Sequence, residues 1–143
     1  MMVRSLSSIV AGLWAVSLIY AAASAQTQKS VWEGVFTKEQ AERGAQAYQK
    51  NCSECHGNDL AGDGFAPALG NPDFSANWTG TTVGDLFERI RISMPPNGPT
   101  GVPPDTKADI VAHILNFNKY PDGKDELKPE AAVLKQIAID AKK

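Results

Sequence analysis

Apolar residues recur at helical spacing in three stretches of this chain. After Thr37, the residues Ala41, Gly44, Ala45 and Tyr48 share one face and lead directly into Cys52. Thr37-Lys38-Glu39-Gln40 has the capping-box pattern, with a side-chain acceptor at the start and Gln three positions later. A second helix is expected from Thr82, capped with Asp85 at its third position, with Val83, Leu86, Phe87 and Ile90 as its stripe. Arg89 and Arg91 fall near its C-terminal end, where the helix dipole favours cations, and Met94-Pro95-Pro96 stops it. A third runs over about 105–118, where Ile110, Val111, Ile114, Leu115 and Phe117 cover a broad face. Gly44 costs its helix stability unless another helix packs closely against it, and such a partner is expected.

Between these helices the pattern is lost. Residues 57–81 and 97–104 are rich in Gly, Pro, Asn and Asp and read as loops. The first is long for a compact domain, and a large cofactor for it to wrap accounts for its length. Residues 26–36 read as an extended arm pinned by Trp32 and Phe36. Tyr120-Pro121-Asp122-Gly123 is a stop and turn. Residues 130–142 fit a short amphipathic helix through Val133, Leu134, Ile137 and Ala138. No segment reads as a strand, so an all-α domain is expected.

The N-terminus has a different character. Arg4 precedes an apolar run over 9–19, and Ala23-Ser24-Ala25 is a small-x-small cleavage pattern. Residues 1–25 read as a signal peptide cleaved after Ala25, with an exported, periplasmic domain over 26–143. An uncleaved anchor is the alternative, because residues 6–25 carry no charge and approach the roughly 20 residues that span a bilayer. Ser7, Ser8, Gly12 and Ser17 dilute that run, and no later segment is apolar enough to span. The formal net charge is −2, and loss of Arg4 with the leader makes it more acidic still. That balance argues against a nucleic-acid partner.

Both cysteines lie in one motif, Cys52-Ser53-Glu54-Cys55-His56. This is the attachment pattern of haem c: each thiol forms a thioether with one vinyl group, and the adjacent His is held as the proximal iron ligand. Attachment follows export, and the leader is an independent signal that agrees. Three other readings compete. A thioredoxin-like redox pair sits in a βαβ context, which is missing here. A structural zinc site takes four ligands, and only His113 stands beyond the motif. A plain disulfide explains neither the adjacent His nor the loops. After cleavage Met94 is the sole methionine, and two prolines stiffen its loop, so it is the candidate sixth ligand rather than a lone surface methionine. His113 is the rival; it falls at the polar edge of its stripe and reads as a solvated or hydrogen-bonded surface residue.

With these residues in hand, the chain resembles class I c-type cytochromes, single-haem bacterial periplasmic proteins with His/Met ligation. Gly44-x-x-x-Tyr48, Cys52 to Gly57, Pro67, Met94-Pro95 and an aromatic-bearing C-terminal helix fall in the family's order. The resemblance covers about 37–120, leaving the arm 26–36 and a tail over 121–143. It implies a small all-α fold in which the first and last helices cross at Gly44 around one covalently bound haem. It also implies that the Pro67 carbonyl accepts a hydrogen bond from His56, and that Asn77, Trp78 and Thr79 meet the haem propionates.

The function expected is a single-electron carrier, not an enzyme, taking electrons from a periplasmic dehydrogenase, quinoproteins included, to an oxidase or another cytochrome. Two alternatives stand beside it. One is a cytochrome subunit of a larger dehydrogenase complex. The other is a haem enzyme with an open sixth site that reduces peroxide or a nitrogen oxide.

Overall fold

The computed structural model describes residues 28–141. The expected leader, its cleavage site and the anchor alternative lie outside the described residues. The elements in chain order are β1 (Lys29–Ser30), α1 (Lys38–Asn51), α2 (Ser53–His56), α3 (Asp73–Trp78), β2 (Thr81–Thr82), α4 (Val83–Ser93), α5 (Pro104–Phe117), α6 (Ala131–Leu134) and β3 (Ile137–Ile139). The domain is mostly helical, as expected.

The helix starts follow local chemistry. Thr82 Oγ1 accepts from the Asp85 amide at 3.1 Å and Asp85 Oδ2 accepts from the Thr82 amide at 3.1 Å, a complete capping box for α4. At α1 only half of the expected box forms. Thr37 Oγ1 accepts from the Gln40 amide at 3.1 Å. The Gln40 side chain turns inward instead: Nε2 donates to the Leu127 carbonyl at 2.9 Å, and Oε1 accepts from the Leu127 amide at 2.8 Å. That reciprocal pair ties the tail to α1, which outweighs a cap exposed to water.

Helices α1 and α5 cross where Gly44 faces Asp109; a Cβ at Gly44 would overlap the Asp109 carbonyl. Tyr48, Phe87, Ile110, Ile114 and Leu115 fill the core around this crossing, all buried. Phe36 and Val31 of the arm are buried too, and the Trp32 ring lies 4.6 Å from that of Tyr120.

Three features depart from the sequence reading. The long 57–81 loop contains α3, whose Phe74 is fully buried. A three-stranded sheet, ordered β1-β3-β2, joins the arm, the α4 entry and the tail. β3 pairs parallel with β1 (Lys29 opposite Ile137) and antiparallel with β2 (Thr81 opposite Ile139). The expected helix over 130–142 is one turn, α6, after which the chain extends into β3; Val133 is left exposed while Leu134 and Ile139 are buried. Strands of two or three residues are too short to leave a periodic signal.

Candidate cofactor site

α1 ends at Asn51, and the chain makes one more helical turn. The Cys52 amide donates to the Tyr48 carbonyl at 2.8 Å, and the His56 amide donates to the Cys52 carbonyl at 2.9 Å. Gly57, at φ +78°, then breaks the helix, and Tyr48 Oη donates to its carbonyl at 2.8 Å. This turn brings Cys52, Cys55 and His56 to one wall of a cavity of about 680 Å³. That volume lies in the range of sites that enclose a whole cofactor.

Leu86, Ile90, Met94 and Pro95 of α4 and its loop line the same cavity, as do Ile110 and Ile114 of α5. Pro67, Asn77 and Trp78 from the long loop are also on the wall, whereas Thr79 is exposed and not on it. Among the lining residues not singled out as site residues are Arg89, an exposed cation, and Phe65, whose ring is 99% exposed at the rim.

His56 is buried, and its Nδ1 lies 2.9 Å from the Pro67 carbonyl. A carbonyl can only accept, so Nδ1 carries the proton and Nε2 keeps its lone pair for a ligand. Cys52 and Cys55 are both free thiols. Burial, opposed by the Lys107 cation and aided slightly by Cys55, pushes the Cys52 thiol up to about 11, so this sulfur is kept neutral. Burial likewise raises the Tyr48 phenol, which serves as a neutral hydrogen-bond donor. A haem fits this donor set: mainly apolar walls, two thiols three positions apart, an imidazole in a fixed tautomer, and a thioether on the same cavity.

His113 is not on the cavity wall. It also departs from the expected surface role: its ring lies 5.2 Å from Tyr48 and 6.4 Å from Phe117, and its buried Nε2 has no hydrogen-bond partner among the described residues. Burial lowers its pKa and keeps the ring neutral. The ring sits there because the α1–α5 crossing at Gly44 draws the polar edge of α5 inward. No group of three or more His, Cys, Asp and Glu among the described residues could hold a metal ion, so they assemble no four-ligand zinc site.

Lys107 was missed by the sequence reading. It is 2% exposed, and its ammonium donates to the carbonyls of Ile90 (3.2 Å), Arg91 (3.0 Å) and Pro99 (2.6 Å). A signal was available, because Lys107, Val111 and Ile114 stand at i, i+4 and i+7 on the apolar stripe.

Among the described residues no helix is long and apolar enough to cross a membrane. Neither the curated proteins nor the solved structures compared with this chain gave a match. A family model does: the one described as "Cytochrome C oxidase, cbb3-type, subunit III" matches residues 39–114, from the first turn of α1 to the end of the cavity-lining part of α5. That match covers more than half of the chain and includes both cysteines, His56 and Met94, and the chain therefore belongs to this family of c-type cytochrome domains, which are electron-transfer haem proteins.

Proposed function

We propose that the cavity would hold one haem c, with Cys52 and Cys55 as its covalent anchors and His56 and Met94 as the residues that would ligate its iron, and that the protein is an exported single-electron carrier. The observation that carries this reading is the shared wall of Cys52, Cys55 and a His56 whose Nδ1 is held by Pro67, with Met94 on the same cavity. When bound, the haem iron supplies a one-electron couple, and everything else is the work of the chain.

Cys52 and Cys55 fix the group by two thioethers, so it is not lost between encounters with partners. His56 donates its Nδ1 proton to Pro67, which orients the ring and raises the basicity of Nε2. Met94 offers a neutral sulfur, which as a ligand would favour the reduced state and would leave no open site for oxygen or peroxide. Leu86, Ile90, Ile110 and Ile114 exclude water from the centre. Trp78 and Asn77, with the Arg89 cation, offer donors to the propionates.

The partners proposed for this role, by resemblance, are a periplasmic dehydrogenase as donor and an oxidase or second cytochrome as acceptor. The leader pattern over 1–25 supports export and a periplasmic site. The family's description names an oxidase subunit, which supports a second reading as a fixed member of a larger complex. A partner that co-purifies in equal amount is its sign.

The test is to produce the protein with haem-attachment machinery, measure its intact mass, and add carbon monoxide to the reduced form. A mass increase of one haem, lost in a Cys52→Ser, Cys55→Ser double variant, with no carbon monoxide shift, is the expected result. A ready shift would mean an open sixth position and would replace the carrier with the haem-enzyme reading.

A further inference from the structure

Helix α4 ends with an unusual deficit of donors. In a helix the last four carbonyls lack intrahelical partners and look to the amides that follow. The Ile90 carbonyl accepts from the Met94 amide at 3.0 Å. The Arg91 and Ile92 carbonyls would next look to residues 95 and 96, and both are proline, with no N–H to give. The stiff loop that carries Met94 therefore leaves the end of its own helix short of donors.

Lys107 supplies the donor for the Arg91 carbonyl, though not for that of Ile92. Its side chain runs from the first turn of α5 into the interior, and its three N–H bonds match three carbonyls, of Ile90, Arg91 and Pro99. Two of these lie before Met94 and one after it. The ammonium makes no carboxylate ion pair among the described residues. Its charge is met by the C-terminal end of the α4 dipole. Burying a lysine on neutral carbonyls is costly, and here one cation closes the loop on both sides of Met94 and bolts it to α5.

We propose that Lys107 is the positioning residue for Met94: by clamping Arg91 to Pro99 it holds the thioether toward the cavity against displacement. This rests on the reading of Met94 as an axial ligand. A thioether is a neutral, weak donor, so its hold on a metal depends on how little the loop can move away. With the clamp gone, an external ligand competes with a mobile Met94 rather than a fixed one.

The experiment titrates imidazole into the oxidised haem protein and follows the sulfur-to-iron charge-transfer band, in wild type, Met94→Ala and Lys107→Met. Lys107→Met keeps the volume and the apolar stem and removes the three donors. Wild type is expected to show the band and Met94→Ala to lack it. In Lys107→Met imidazole should bind more tightly by on the order of tenfold, since bonds from a charged donor are among the strong ones. Its reduction potential should also fall.

A band in wild type, with imidazole affinity in Lys107→Met within about twofold of wild type, overturns the role of Lys107 while leaving Met94 as ligand. Absence of the band in wild type overturns the Met94 reading, and this proposal with it. Should Lys107→Met fail to fold, lysine side-chain nitrogen-15 NMR of the wild-type haem protein decides. A slowly exchanging Lys107 ammonium at neutral pH supports the clamp; a signal averaged with water like that of exposed lysines overturns it.

Discussion

The backbone of Gly44 lies directly against the carbonyl of Asp109, so closely that a side chain at 44 has no room. His113 Cβ closes the same gap one turn further along α5. Two tendencies oppose each other at Gly44→Ala. Alanine improves the helix by about 1 kcal/mol, whereas overpacking a rigid crossing costs about 1–3 kcal/mol or more. The obstacle is backbone, which cannot rotate away, so the second wins. Gly44→Ala is expected to lower the denaturation midpoint of the haem protein; an unchanged or raised midpoint would show that the helices separate freely.

A pH effect follows from His113. Burial depresses its folded pKa below the ordinary imidazole value of about 6.5, so in the acid range the unfolded chain binds more protons than the folded one. Stability is then fully present above about 6.5 and falls as the pH drops below it, by at most about 1.4 kcal/mol per pH unit for one group. Glu88 and Glu126 are depressed by their arginine partners Arg91 and Arg43, and they act only below the ordinary carboxylate range. His113→Leu should make the loss between pH 7 and 5 shallower and, by deleting an unpartnered buried Nε2, hold or raise stability at pH 7. Urea midpoints at pH 7, 6 and 5 test this, and parallel pH curves for the two proteins would refute it.

Phe65 is an apolar ring left in water at the rim of the cavity. Nothing in the fold needs it there, so Phe65→Ser should alter stability by no more than about 0.5 kcal/mol. An apolar contact at the rim favours close approach of a redox partner, including a second copy of the protein. The electron self-exchange rate, read by NMR on half-reduced samples, is expected to drop several-fold in the variant. A self-exchange rate equal to wild type would remove Phe65 from the contact.

The parts of this molecule that were legible in the sequence are those written locally. Helices α1, α4 and α5 carry full apolar stripes, and the Thr82–Asp85 box is a contact between near neighbours. Cys52, Cys55 and His56 are legible for the same reason, since their spacing contains the chemistry. What escaped depends on distant partners. Gln40 has a capping pattern with Thr37, yet its amide is taken by Leu127, which no local rule foresees. Helix α3 lies in a Gly- and Pro-rich stretch, where only the Phe74–Trp78 pair at i, i+4 hints at it. The strands gain their bonds by meeting across the fold rather than by pattern. Lys107 looked like an ordinary charged residue because its three acceptors belong to other elements.

On the proposed function, Cys52, Cys55 and His56 and the thioether of Met94 together would make a closed, two-ligand iron site. The most direct measurement is the visible spectrum of the oxidised wild-type haem protein beside that of Met94→Ala. A low-spin wild type with a sulfur-to-iron charge-transfer band is expected, beside a variant that loses the band and becomes high-spin or water-ligated. A high-spin wild type, or a band that survives in Met94→Ala, would contradict it.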